Sequence, residues 1–218
     1  MKFSISEENY IKSIYHLQDL NERVNATMLA ATVNTKAASV TDMLKKLHKK
    51  NVVDYQPYKS FILTQAGCKI ALEIIRKHRL WEFFLVDKLG FAWDQVHEIA
   101  EELEHISSKE LVTRLDAFLK HPSFDPHGDP IPNSKGKMME VKQQNLTEIT
   151  LEKIFTVSYI KDQSMAMLDL LKHYQIGIGT KIKVSKRFDF DGSVEIKIER
   201  LPGAILSNQV AKNIYCVI

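Results

Sequence analysis

The sequence is poor in paired thiols, in glycine and in long apolar runs. Its 218 residues include only two cysteines, Cys68 and Cys216, far apart and outside any paired-thiol motif, which excludes a disulfide scaffold and a thiolate zinc site. Its eight glycines form no phosphate-cradling loop, and no nucleophile or substrate pocket is evident; an enzyme and a small-molecule substrate are therefore not expected. No run approaches the roughly 18 apolar residues that a membrane-spanning helix needs. The start, MKFSISEENY, lacks the apolar stretch of a secretory signal. The expectation is a cytoplasmic protein with no membrane partner. Strong charge is lacking too: a net +3 is too mild to announce a nucleic-acid binder by itself.

What is present is a foldable composition, with 44% hydrophobic and 26% charged residues, close to globular averages. The charge is unevenly placed. Lys and Arg outnumber Asp and Glu nine to six over residues 1–64, trail them eight to ten over 65–121, and lead thirteen to eleven over 122–218. Acidity thus concentrates in the middle of the chain.

From Glu7 to Leu20, Tyr10, Ile11, Ile14, Tyr15 and Leu17 fall at helical spacing behind Ser6 as N-cap. A short helix over Thr27–Val33, a polar break at Asn34–Lys36 and a third helix over Ala37–Lys50 form a helix-turn-helix candidate. Strands at Val52–Tyr55 and Phe61–Leu63, joined by a turn over 56–60, add a wing. Thr64 caps a long helix, about Gln65 to Leu89; Asp94 opens another, and a further one spans Ser108–Lys120. These helices make a natural dimerisation unit. Four prolines between His121 and Lys137 exclude helix or ladder there, leaving a linker or ordered loop. Beyond it the period drops to two in Lys181–Val184 and Val194–Ile198, with Asp191-Gly192 as the hairpin turn. The last ~70 residues therefore read as a small β-rich barrel with one helix near Ser164–His173.

The helix opened by Asp94 sets His97, Glu101, Glu104 and His105 within an arc of about 100°, opposite its apolar face. His78 and Glu82 repeat the chemistry one turn apart on the preceding helix. Imidazole and carboxylate without thiolate suit Mn²⁺, Fe²⁺ and Zn²⁺, with weight toward the first two. A solvated acidic face is the plainer alternative.

Arg76-Lys77-His78-Arg79-Leu80 with Glu82, then Val96-His97-Glu98 with Glu101, Glu104 and His105, then Pro126-His127-Gly128-Asp129-Pro130-Ile131-Pro132, resemble the DtxR/MntR family of metal-dependent transcriptional repressors over essentially the whole chain. The resemblance implies an α+β protein of three domains. These are a winged helix-turn-helix at 1–64, a helical dimerisation and metal-binding domain with its proline-rich connector at 65–140, and an SH3-like β-barrel at 141–218. It also implies Glu101, Glu104 and His105 as ligands of a primary metal site. Glutamate at 101 belongs to the manganese-responsive branch, where the iron branch has cysteine. Asn9 stands at the position where the family's first helix supplies an Asp or a Met, with Glu8 facing elsewhere, and Lys12 replaces a second carboxylate of the manganese branch. His78, Glu82 and His97 match an ancillary site, with Asp162 and Gln163 as further candidates. Asp125 and His127 match connector ligands, the plainer readings being a turn former and a loop histidine.

The function implied is a homodimeric, Mn²⁺-responsive repressor of metal uptake that binds double-stranded DNA at a palindromic operator. An Fe²⁺-dependent repressor is the alternative, a metallohydrolase a remote one, and a winged-helix regulator without metal a third. In the recognition helix Lys36, Ala38, Ser39, Thr41 and Asp42 face base edges or phosphates, and Lys45, Lys46, Lys49 and Lys59 position the protein on phosphates. Asp42 reads equally as a charge favoured by the helix dipole.

Overall fold

The computed structural model describes residues 2–20, 24–56, 59–198 and 201–218. The chain divides into two compact units. One comprises residues 1–78, 102–109 and 132–137, and the other residues 79–101, 110–131 and 138–218.

In the first unit, helices α1 (Ile5–Leu20), α2 (Ala26–Thr32) and α3 (Ala37–Lys49) precede strands β1 (Val53–Asp54) and β2 (Ile62–Leu63). The two strands pair antiparallel, Val53 opposite Leu63. Pro57 and Tyr58 of the expected wing turn lie outside the described residues. Tyr10, Ile11, Ile14, Leu29, Val40, Leu44, Leu47, Val52 and Phe61 share one buried core, so the apolar faces read from the sequence converge. The start of α1 is set differently from the expectation. Ser4, not Ser6, caps it: Ser4 Oγ accepts the Glu7 amide at 3.3 Å, and Glu7 Oε2 accepts the Ser4 amide at 2.8 Å. This reciprocal Ser-x-x-Glu box satisfies two backbone donors that one hydroxyl would leave half served.

The same Glu7 is buried, and its carboxylate pairs with Lys50 at 2.6 Å and Lys46 at 3.3 Å, joining α1 to the end of α3. Burial opposes its ionisation, but Lys50, the Ser4 amide and Lys46 outweigh it and hold its pKa at about 2 against an ordinary 4.5. A depressed carboxylate pKa contributes stability that is present above the unfolded value and lost as pH falls through the folded one. Glu7→Gln is therefore expected to cost about 2 kcal/mol at neutral pH. Its unfolding free energy should also vary less than the wild type's between pH 4.5 and 2, which acid titrations followed by circular dichroism will check.

Helix α4 (Gln65–Asp87) follows, with Thr64 Oγ1 accepting the Gly67 amide at 3.1 Å as its cap. Helix α5 (Val96–Leu103) and helix α6 (Lys109–Phe118) complete the helical segment. In the second unit Leu80, Leu115, Leu119 and Ile131 form a small core. The proline-rich stretch is ordered, and one bridge, Phe124 to Pro130, forms where prolines were expected to forbid any ladder. It survives because the amides of Asp125 and Ile131, which no proline removes, bond to Asp129 and Ser123.

Strands β3 (Gln143–Asn145), β4 (Ile154–Ile160), β5 (Lys181–Arg187), β6 (Val194–Ile198), β7 (Ala204–Leu206) and β8 (Ile214–Val217) make one antiparallel sheet in the order β3-β8-β4-β5-β6-β7. Helix α7 (Met165–His173), capped by Ser164, contributes Met167, Leu168 and Leu171 to its core, and a short helix α8 (Asn208–Ala211) precedes β8. The expected β5–β6 hairpin turns at Asp191-Gly192, where Gly192 takes φ +70°.

Candidate metal centres and nucleic-acid surface

Helix α5 ends at Leu103, so Glu104 and His105 leave the helical arc on which the sequence placed them. His97 and Glu101 remain on the helix, both half exposed, with His97 Nε2 3.8 Å from Glu101 Oε1. Glu104 is fully buried. Its Oε2 meets His78 Nδ1 at 2.7 Å and accepts from Lys12 Nζ at 2.9 Å, while Oε1 lies 2.7 Å from the same ammonium. Burial works to raise the Glu104 pKa, but His78 and Lys12 prevail and lower it, so the group is ionised at neutral pH. His105 Nδ1 sits 2.6 Å from Glu8 Oε2, and its Nε2 faces Glu104 Oε1 at 3.7 Å. The α1 carboxylate beside this cluster is therefore Glu8, expected to face elsewhere, whereas Asn9, the expected ligand, is exposed. Tyr10, Ile11 and Ile14 fix the helix rotation, and that rotation carries Glu8 and Lys12, one turn apart, to the 104–105 turn.

The second cluster lies wholly in the second unit. Donor atoms of Glu82, Asp125 and His127, all buried, lie within 4.8 Å of one another. His127 Nε2 bonds to the Trp93 carbonyl at 2.9 Å, which assigns the proton of the neutral ring to Nε2. Its buried Nδ1 has no hydrogen-bond partner among the described residues and faces Glu82 Oε2 at 3.8 Å. An imidazole whose outer N–H is held by a carbonyl while its inner lone pair faces two carboxylates has the arrangement of a metal-ligating histidine.

The electrostatics point the same way. Burial, then Asp129 and Glu82, push the Asp125 pKa well above the usual carboxylate range despite Arg79 and His127. For His127 burial disfavours the proton, but Glu82 outweighs it and raises the pKa. Carboxylates crowded in a buried site call for a further cation, and an oxygen and nitrogen donor set suits a divalent one. Glu82 also meets His97 Nδ1 at 3.4 Å.

Asp125 takes the turn-former role offered by the sequence, since its Oδ1 accepts the amides of His127 and Asp129, each at 2.9 Å, while its carboxylate also lies beside Glu82 and His127. Asp162 is drawn elsewhere: its Oδ1 accepts the Ser164 amide at 3.0 Å ahead of α7. Gln163 reaches the connector by a hydrogen bond from its Nε2 to Asp129. Sequence reasoning assigned no role to Arg79, which donates to the Pro130 carbonyl at 2.6 Å and to Asp129 Oδ1 at 2.9 Å and lies 3.6 Å from Asp125 Oδ2. Its signal was its place in the Arg76–Leu80 motif.

On α3, Ala38, Ser39, Asp42, Lys45 and Lys49 are exposed, as are Lys36 before the helix and Lys59 beside the wing. Thr41 is half buried and donates to the Ala37 carbonyl at 3.0 Å. Asp42 pairs with Lys45 at 3.4 Å, and Lys46 with Glu7 at 3.3 Å, so both charges have partners within the chain.

A winged helix followed by a helical segment with buried histidine and carboxylate clusters defines a metal-responsive DNA-binding regulator. The N-terminal DNA-binding domain of iron-dependent repressors matches residues 2–61, and their metal-binding and dimerisation domain matches residues 64–133. A solved manganese-dependent transcriptional repressor in complex with manganese is similar at 33% identity, covering 97% of this chain and 99% of that one with a TM-score of 0.86. An uncharacterised helix-turn-helix transcriptional regulator of Methanocaldococcus jannaschii is 38% identical over 118 residues, 54% of this chain and 94% of its own. The iron-dependent repressor IdeR of Mycobacterium bovis is 30% identical over 125 residues, 57% of this chain and 54% of its own length. The chain belongs to the DtxR/MntR family of metal-dependent, DNA-binding transcriptional repressors. Among the described residues no helix is long and apolar enough to cross a membrane.

Proposed function

We infer that this chain is a Mn²⁺-responsive repressor of metal-uptake genes, acting in the cytoplasm as a homodimer on a palindromic operator. The observation that carries the metal assignment is the donor set. Glu82, Asp125 and His127 converge with oxygen and nitrogen alone. Both cysteines lie elsewhere, Cys216 in the core of the six-stranded sheet and Cys68 against the winged-helix core. Hard, charged oxygen donors favour Mn²⁺ over the softer ions that thiolates select. The likeness to a manganese-dependent repressor along almost the whole chain supports the same reading.

Two sites follow. The family resemblance assigns Glu101, Glu104 and His105 to a regulatory ion, which they would hold, with α1 reaching His105 through Glu8. Glu82, Asp125 and His127 would hold a second ion beside the connector, with His97, Gln163 and Arg79 around it. His78 serves the regulatory cluster through Glu104. When bound, the ion supplies positive charge that draws these carboxylates together. Because α1 touches His105 through Glu8 and α3 through Glu7, reorganisation at the 104–105 turn reaches the recognition helix along one rigid helix. Lys36, Ser39, Lys45 and Lys49 then meet the major groove and its phosphates.

An Fe²⁺-dependent repressor is the second reading, favoured by the likeness to IdeR and by a donor set that Fe²⁺ also accepts. Glu101→Cys tests the choice. It is expected to shift operator-binding activation from Mn²⁺ toward Fe²⁺ by about tenfold in relative affinity, measured by fluorescence anisotropy under anoxia. An unchanged preference removes the argument from the oxygen donor.

A further inference from the structure

Lys12 is the least expected member of the Glu104 cluster. Its ammonium lies 2.7 Å from one Glu104 oxygen and 2.9 Å from the other, spanning the carboxylate as a bidentate cation does. The site is secluded: the Glu104 side chain is 0% exposed and that of Lys12 12%. His78 Nδ1 takes a second position on Glu104 Oε2 at 2.7 Å, and His105 Nε2 faces Oε1 at 3.7 Å. The carboxylate is thus neutralised from within the chain, by a group carried on the same helix as Glu8.

We propose that Lys12 is a tethered counter-cation of the regulatory site, which an entering divalent ion displaces from Glu104, so that this side chain sets the metal concentration at which the repressor responds. The inference rests on the proposed role of Glu104 as a metal ligand. Both cations would draw on the one Glu104 carboxylate, and an ammonium and a divalent ion brought together there repel each other. A site that fills itself has its apparent affinity reduced by the fraction of molecules in which it is clear. About 90% self-occupancy weakens binding about tenfold. The tether makes this competition local to the protein and independent of the concentration of free cations. Displacement also frees α1 from one of its contacts with the 104–105 turn, leaving Glu8 and His105 to hold the helix.

The test is Mn²⁺ titration of the full-length wild type, Lys12→Gln, Lys12→Arg and Glu104→Gln, with free Mn²⁺ read by its electron paramagnetic resonance signal. Lys12→Gln is expected to bind Mn²⁺ about tenfold more tightly at the Glu104-dependent site, and to melt at a lower temperature in chelator than in Mn²⁺. Lys12→Arg, which keeps the charge, is expected to stay near the wild type. Unchanged or weaker binding by Lys12→Gln overturns the proposal. If Glu104→Gln binds Mn²⁺ like the wild type, the metal site itself is misassigned and the proposal falls with it. If Glu104→Gln weakens binding and Lys12→Gln changes nothing, only the role of Lys12 fails.

A readout on the wild-type protein covers the case of a variant that does not fold. Acylation of Lys12 by a water-soluble reagent, followed by mass spectrometry, is expected to rise several-fold on saturation with Mn²⁺. Constant reactivity across the titration overturns displacement.

Discussion

Glu104→Gln is expected to abolish the metal response of operator binding and to destabilise the fold by about 3 kcal/mol, the scale of breaking a buried ion pair from one side. The carboxylate is fully buried and holds the Lys12 ammonium and the His78 imidazole together. Glutamine keeps the shape but not the charge, so Lys12 and His78 lose the Glu104 charge they face, and the proposed regulatory site loses an anionic ligand. The control is Glu101→Gln. That side chain is half exposed, and a surface substitution of this kind changes stability by no more than about 0.5 kcal/mol. If both residues are ligands, both variants lose the metal response, but only Glu104→Gln unfolds early in urea. Equal stability of the two variants contradicts the burial argument, and an intact metal response in both contradicts the site.

The second large effect is at Gly128. Its φ is +88°, and a Cβ there lies 1.9 Å from the Ser158 carbonyl oxygen and 2.8 Å from Tyr159 Cα, backbone atoms that cannot step aside. The neighbouring His127 carbonyl accepts the Ile160 amide at 3.0 Å, so the connector is laid directly on β4. Gly128→Ala is expected to cost more than about 3 kcal/mol, combining left-handed strain with a backbone clash. It should also lower the Mn²⁺ bound per chain by loosening His127 from Glu82. Gly90→Ala separates the two causes. Gly90 has φ +72°, and a Cβ at that position meets nothing within 4 Å, so it should lose only the strain of about 1 kcal/mol. Similar losses for the two variants, measured by chemical denaturation, remove the close approach as a cause.

Much of the architecture was legible because local chemistry and period agree along the chain. Thr64 caps α4, Ser164 caps α7 and Asp191-Gly192 turns the β5–β6 hairpin for reasons that neighbouring residues carry. The clusters were legible as residue types and less so as partners. A helical arc grouped His97, Glu101, Glu104 and His105, but that arc assumes the helix continues past Leu103, and nothing local announces its end. Similarly, Glu8 and Asn9 are adjacent in sequence and about 100° apart around a helix. Which one reaches His105 is settled by how Tyr10, Ile11 and Ile14 pack, a tertiary matter. The Glu8 and Lys12 spacing of one turn was the available signal, since both reach the same turn of chain.

Arg79 illustrates the remaining gap. Its partners, the Pro130 carbonyl, Asp129 and Asp125, lie some fifty residues away, and only the fold brings a guanidinium to that proline-rich loop. Asp162 shows the converse: a carboxylate close in sequence to Gln163 spends its oxygen on the start of α7. The mild net charge of +3 also finds an explanation, because the acidic residues that offset the basic winged helix include Glu82 and Glu104 of the two clusters.

In the proposed function, divalent metal, Mn²⁺ foremost, controls DNA affinity. The most direct measurement is the dissociation constant for a labelled palindromic operator, taken by fluorescence anisotropy at fixed ionic strength in Mn²⁺, in Fe²⁺ under anoxia, and in chelator. A coupling of the usual 1–3 kcal/mol between two sites corresponds to about 5–150-fold. Binding is expected to be at least about tenfold tighter in Mn²⁺ than in chelator, with Fe²⁺ between the two. The same affinity in all three solutions contradicts it.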